Sequence, residues 1–205
     1  TWMDTNYPAA TPREGYPVEI QALWIASLRL VARKIDAEWN ALAERAALAL
    51  ARLYVVKEGW LADCLRAKVG EPAERAPQED TLRPNQLLAV TLGVPLAPEL
   101  ARAAVGACEQ LLVPGAIRSL ADRPVLAECG VWRDGTLLND PHRPYQGHYL
   151  GDEDTRRKPA YHNGTAWSWM FPLYVEALVL LYGESARVTG LSLLGSAVER
   201  LNGGC

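Results

Sequence analysis

Phenylalanine is almost missing from this chain: among 205 residues there is one, Phe171, against seven Trp and eight Tyr. A core built on Phe rings is therefore excluded. Aromatic area must come from side chains that carry a polar atom beside a flat apolar face, a combination that suits the alternating C–H and hydroxyl surfaces of a sugar as well as core packing with polar tips. Cysteine is sparse and scattered. Cys64, Cys108, Cys129 and Cys205 show none of the close pairs used by zinc sites or redox motifs, and they read as reduced thiols of a cytoplasmic protein. The three histidines, His142, His148 and His162, share no ligand spacing on a helix face, so no metal is expected, and no cofactor is implied. No apolar run reaches the roughly 18 uninterrupted residues of a membrane span. Residues 1–16 also lack the basic start and apolar centre of a signal peptide.

Nor is there an excess of positive charge. Lys and Arg number 21 against 24 Asp and Glu, giving a formal net charge of −3 and a pI near 5.7. Such a balance offers no general attraction to phosphate backbones or anionic lipid, so neither nucleic acid nor a membrane is an expected partner. A neutral small molecule or polysaccharide fits better. With 49% hydrophobic residues, the length is enough for one substantial core, and residues 1–205 read as a single unit.

Proline and glycine divide the chain. Pro8, Pro12, Gly15 and Pro17 forbid a long helix at the start. From Val18 the apolar residues Val18, Leu23, Trp24, Leu28, Val31 and Ile35 recur at helical steps. Ala37 to Lys57 forms a second stripe through Leu42, Ala46, Ala49, Leu50 and Leu53. The pair predicts a hairpin bent near Ile35 to Glu38. Pro84 suits the first turn of a short helix through about Leu92, and Glu99 to Val113 predicts another helix, ended by Pro114-Gly115. Residues 114–160 hold five prolines and five glycines and predict a long, ordered functional loop with short strands around Val131 to Leu138. Helices are expected again from Thr165 to Tyr182, kinked or interrupted at Pro172, and from Ser185 to Leu201. The fold class expected is all-α, built from successive helical hairpins with functional loops at one end, as in half of an α/α toroid.

The densest chemical signal is the run from Tyr161 to Trp169. It sets Tyr161, His162, Asn163, Trp167 and Trp169 at the mouth of an apolar helical segment. Polar atoms buried there without partners would cost about 1–3 kcal/mol each, so the cluster points to a sugar-binding cleft. Arg83 and Asn85, between a proline-rich loop and a short helix, either project into that cleft or hold the loop in place. His162 and Asn163 either bind hydroxyls or cap the helix. Asp4 alone reads as a surface or capping aspartate, and Glu19 as a carboxylate at the positive end of a helix.

Six segments carry a resemblance: Thr1-Trp2-Met3-Asp4; Thr11-Pro12-Arg13 with Gly15 and Val18-Glu19-Ile20; Leu82 to Gln86; Ile117 to Leu120; Tyr145 to Gly151; and Tyr161 to Trp167. Together they resemble the amylo-α-1,6-glucosidase region of glycogen debranching enzymes, a glucoamylase-like (α/α)6 barrel. The resemblance implies hydrolysis of α-1,6-linked glucose at glycogen branch points with inversion. Asp4 is then the general acid, its pKa raised by Trp2 and Met3, and Glu19 is a cleft residue that binds hydroxyls or orients Arg13. Trp2, Arg13, Glu19, Arg83, Asn85, Tyr161, His162, Asn163, Trp167 and Trp169 form the substrate-binding set, and glycogen or a branched α-glucan is the partner. The family often has Gln at Asn163 and a Val-Trp-Pro-Trp run at Ala166 to Trp169, and the stretch from Ala121 to Pro144 is longer than in many relatives. The family's second carboxylate is expected beyond Cys205. On that basis the chain is expected to be a fragment, weak or inert alone, with an apolar edge open to self-association. The alternatives are another toroid α-glucosidase or trehalase-like hydrolase, and a non-catalytic carbohydrate-binding helical scaffold.

Overall fold

The computed structural model describes residues 2–3 and 8–203. A loop leads into strand β1 (Gly15–Pro17), which passes directly into helix α1 (Val18–Lys34), Pro17 supplying a φ of −66° at the junction. The chain turns where expected, and α2 (Trp39–Leu53) packs back on α1. The buried faces differ from the expected stripes. On α1 they are Val18, Ala22, Ile25 and Leu28, while Leu23, Trp24 and Ile35 are exposed. On α2 they are Ala43, Ala47 and Leu50. Alanines on the facing surfaces bring the helix axes close, and the bulkier Leu23 and Trp24 turn outward.

Beyond α2 come β2 (Cys64–Arg66) and β3 (Gln78–Glu79), forming an antiparallel sheet in the order β1-β2-β3, with Gly15 opposite Arg66 and Cys64 opposite Glu79. Strands of two or three residues leave no alternation to read in sequence. Pro84 opens a 3-10 turn, Pro84–Gln86, that continues as α3 (Leu87–Thr91), as its position predicted. The helix expected from Glu99 to Val113 is shorter. It runs as α4 (Pro98–Ala107) and a 3-10 turn, Cys108–Leu111, before a hairpin of β4 (Leu112–Val113) and β5 (Ala116–Arg118) around Pro114-Gly115.

The long loop holds the expected small hairpin, β6 (Trp132–Arg133) with β7 (Thr136–Leu137). A π turn, Glu153–Arg157, then leads into α5 (Lys158–Tyr161), and β8 (Ala166–Trp167) joins the edge of β5. Only at Phe171 does α6 (Phe171–Tyr182) begin. Pro172 therefore sits in the first turn, where its missing N–H costs nothing, and no kink forms. A turn from Gly183 leads to α7 (Arg187–Asn202), which folds back so that Gly190 meets Val175. By length and composition the joined stretch Phe171–Asn202 would suffice to cross a membrane. It is bent at Gly183 instead, and neither arm reaches the roughly 20 residues of a span.

The architecture is thus mainly helical with small sheets, not all-α. Short α3 sits between α1 and α6, and the core gathers Ile25, Leu50, Leu87, Val105, Leu111, Ile117 and Phe171 around it. The lone phenylalanine is fully buried there.

Gly15 is the tightest point of this frame. Its φ is +125°, and a Cβ there would lie 2.1 Å from the Leu65 carbonyl oxygen and 2.6 Å from the Ala67 nitrogen. Gly15→Ala is expected to lose at least about 1–3 kcal/mol from backbone strain alone. Urea denaturation should show a lower midpoint, and an unchanged midpoint would mean that β1 does not pair as described.

Candidate functional site

Four stretches distant in sequence deliver charged or amide side chains to one buried cluster. Arg13, from the loop before β1, is its hub. Its Nη1 and Nη2 donate to Glu19 Oε1 and Oε2 at 2.7 and 2.8 Å, a bidentate pair with the first turn of α1. Its Nε lies 2.6 Å from Asp63 Oδ2, and Nη2 also donates to the Asp63 carbonyl at 3.1 Å. Asp63, just ahead of β2, in turn faces Arg83 Nε at 3.4 Å and accepts from Asn85 Nδ2 at 2.8 Å. Arg83 donates onward to the backbone oxygens of His162 and Ser119 and, from Nη2, to Asn163 Oδ1 at 2.9 Å. Asn163 closes the set by donating to the Ala10 and Pro159 carbonyls, both at 2.9 Å. Arg13, Glu19, Asp63, Arg83, Asn85 and Asn163 are all buried.

Burial alone pulls the Arg13 guanidinium toward neutrality, but the charges of Asp63 and Glu19 outweigh it and raise its pKa. The opposite balance holds at Glu79 on β3. Burial and the charge of Asp63 raise its carboxyl above the ordinary value, against the pull of Arg83, Arg13 and Arg66. Burial, with Glu79 beside it, likewise pushes the Cys129 thiol up to about 12. Cys64, Cys108 and Cys129 are free and buried.

Above this layer stands an aromatic shelf. Trp2 donates its indole N–H to Glu19 Oε1 at 2.8 Å, the same oxygen that Arg13 holds. Its ring meets His162 edge-on at 5.5 Å and both Trp167 and Trp169 at 6.1 Å. Trp167 and Trp169 stack at 5.4 Å. Tyr161 lies 4.6 Å from His162 and 5.9 Å from Tyr149. His162 and Trp167 are buried, whereas Trp2, Tyr161, Trp169 and Tyr149 keep 44, 38, 51 and 45% of their surfaces exposed. Trp167 Nε1 donates to the Tyr161 carbonyl at 3.0 Å, fixing the loop between α5 and β8. Gly164 makes that loop possible. Its φ is +138°, and a Cβ would press within 2.5 Å of the Tyr145 ring.

The expected site residues therefore meet, but in two layers. Arg13, Glu19, Arg83 and Asn163 bond chiefly to one another, to Asp63 and to backbone, and Asn85 donates to Asp63 while its Oδ1 lies buried without a hydrogen bond, whereas Trp2, Tyr161 and Trp169 present open surface. Asp4 lies outside the described residues. Its chain neighbour Met3 is fully buried, its sulfur accepting from Arg13 Nη1 at 2.9 Å and from Asn85 Nδ2 at 3.6 Å.

Sequence reasoning missed Asp63 and Glu79, and left Met3 and Tyr149 out of the substrate-binding set. Asp63 carried a signal: it is a lone acid inside the apolar run Leu61-Ala62-Asp63-Cys64-Leu65, where a charge persists only when paired. Among the described residues no group of His, Cys, Asp and Glu side chains forms a metal site. A sequence family described as amylo-alpha-1,6-glucosidase matches the chain over residues 1–202. No curated protein and no solved structure matches it.

Two predictions follow from the buried layer. Arg13→Met strands Glu19 and Asp63 without their main partner and is expected to cost about 3–5 kcal/mol, read as a lower denaturation midpoint. For Glu79, a folded-state pKa above the unfolded one means that the native protein binds the extra proton, so this group's contribution to stability is fully present below the unfolded value and is lost as pH rises through the folded value, by up to about 1.4 kcal/mol per unit. Glu79→Gln, which keeps the acceptor for Thr81 Oγ1, should lose that slope. Parallel stability-versus-pH curves for the two proteins would show Glu79 to be unshifted.

Proposed function

The chain belongs to the amylo-alpha-1,6-glucosidase family, and from that membership we propose that it works in a glycoside hydrolase releasing α-1,6-linked glucose from the branch stubs of glycogen-like glucans. Its helical hairpins, on this reading, form part of an (α/α)6 toroid, and the loops bearing the shelf lie at the mouth of the toroid. The exposed apolar residues Val188, Leu191, Val198 and Leu201 of α7 then mark an edge for further hairpins or a second copy of the chain.

In the mechanism, Asp4 protonates the leaving glycosidic oxygen while a second carboxylate activates water on the opposite face of the sugar. Inversion requires the two carboxyl groups to stand about 6.5–9.5 Å apart. Glu19 and Asp63 are poor candidates for activating water, because each is locked on arginine in the buried layer. Their work is to hold Arg13, and through it Met3, in place, and Glu19 also holds the Trp2 indole directly. The exposed rings of Trp2 and Trp169 take the apolar face of the glucose, and the polar tips of Tyr161 and neighbouring groups take its hydroxyls.

The observation that carries the reading is the bond from Trp2 to Glu19: an exposed indole fixed by a buried, arginine-paired carboxylate is a pre-organised platform for a flat, hydroxylated ligand. Asp4→Asn is expected to lower glucose release from a branched limit dextrin by about 10²–10⁴-fold in the intact enzyme, and full activity would remove Asp4 from the role of acid. Trp169→Ala should weaken glucan binding about tenfold, the equivalent of 1.4 kcal/mol. Unchanged affinity by calorimetry would leave the shelf without a ligand.

A further inference from the structure

Two polar atoms at the flank of the charge layer have no protein partner among the described residues. Thr11, in the loop before β1, is 3% exposed, and its Oγ1 makes no hydrogen bond. Glu79 on β3 is 2% exposed. Its Oε1 accepts from Thr81 Oγ1 at 3.0 Å, but its Oε2 makes no hydrogen bond, and Arg66 Nε stands off from it at 3.9 Å, beyond bonding reach. Native interiors pair nearly all such atoms, with protein groups or with ordered water.

Thr11 and Glu79 line the same small cavity, of about 10 Å³, together with Arg13, Arg83, Cys129 and Asn163. The other charged and amide groups on its wall are committed elsewhere. Arg13 is held by Glu19 and Asp63. Arg83 turns its Nη atoms to backbone oxygens and to Asn163, whose own amide donates to the Ala10 and Pro159 carbonyls. That leaves the Thr11 hydroxyl and one Glu79 oxygen unspent, with the Cys129 thiol as a weak donor on the same wall. The space is at the lower edge of what a single water molecule needs, and such a molecule takes two to four polar partners. A metal cation suits the place poorly, because two guanidinium groups share the wall. A neutral water suits it well: its oxygen can accept from the hydroxyl while one of its protons bonds to the carboxyl oxygen.

We propose that this cavity is a structural water site, in which one internal water accepts from Thr11 Oγ1 and donates to Glu79 Oε2, tying the loop before β1 to β3 beside the Arg13–Asp63 contact. The site is independent of what the aromatic shelf binds. A crystal structure at a resolution that places ordered solvent, together with magnetic relaxation dispersion of the water oxygen nucleus, which counts long-lived internal waters, tests it. Density for one water about 2.5–3.0 Å from both oxygens is expected. Thr11→Val removes the hydroxyl at nearly constant volume and should lose that density and one long-lived water from the dispersion amplitude. Thr11→Ser keeps the hydroxyl and should retain both. A cavity without density in the parent protein overturns the proposal, and so does a water that persists unchanged in Thr11→Val or an equal dispersion amplitude in the two proteins. Should Thr11→Val fold too poorly to measure, the parent and Thr11→Ser still decide it, since density missing from either removes the site.

Discussion

The contact between Arg13 and Asp63 is the constraint on which the rest of the molecule depends. A guanidinium and a carboxylate 2.6 Å apart, both inaccessible to solvent, have given up hydration worth several kcal/mol each, and only precise mutual placement restores it. That requirement fixes the loop before β1 against the segment before β2. Because Arg13 also grips both oxygens of Glu19, it fixes the start of α1 as well. Buried ion pairs of this kind add little net stability over an apolar core of the same shape. Their effect lies in the arrangements they forbid, since any register that separates the partners leaves a bare charge in the interior.

A shared oxygen transmits the constraint outward. Glu19 Oε1 accepts from Arg13 Nη1 and from Trp2 Nε1, so the exposed indole cannot swing without loosening the buried pair. On the other side, Arg83 ties Asp63 to the His162 carbonyl and the Asn163 amide, and thereby carries the loop that bears Tyr161 and Trp167. The shelf has no rigid scaffold of its own. Most of its rings stand on loops, with Tyr161 at the end of short α5 and Trp167 on two-residue β8, and such segments hold a geometry only when something beneath them is over-determined. Here that is the charge layer.

Much of the helical frame was readable without coordinates. The hairpin bend at residues 35–38, the short helix opened by Pro84, the hairpin within the long loop and the break at Gly183 follow from proline, glycine and apolar spacing. The small sheets were not readable, because strands as short as β3 and β8 carry no periodicity and exist only through their pairing partners. Periodicity also chose the wrong face of α1: it weights Leu23 and Trp24 for their size, whereas close helix contact selects Ala22. The residues singled out in the sequence do meet in space, Asp4 aside, but residue type does not tell the depth at which each lies. Residue type says that Arg83 and Asn163 suit sugar hydroxyls, yet the same donors suit buried carbonyls equally well, and only the surrounding structure decides between them. Asp63 was passed over because a single acid in an apolar run has no visible partner until Arg13, fifty residues away, folds onto it.

The segments that carry the family resemblance are the ones this physics would single out. Trp2-Met3, Arg13 with Glu19, Arg83 to Gln86, Ser119 and the Tyr161 to Trp167 run are the residues of the charge layer and of the shelf above it. A buried charge tolerates few replacements, because Lys for Arg loses the bidentate fork and Gln for Glu leaves a guanidinium unpaired. Residues 121–144 are under a looser demand. They attach chiefly through backbone, as where Asp80 accepts from the Leu126 and Ala127 amides and where Val125 and Cys129 donate to the carbonyls of His142 and Pro141. Backbone contacts of that kind accept many sequences and lengths. The recognisable part of the chain is therefore the charge layer with the aromatic shelf above it, and the loop of residues 121–144 borders them chiefly through backbone contacts.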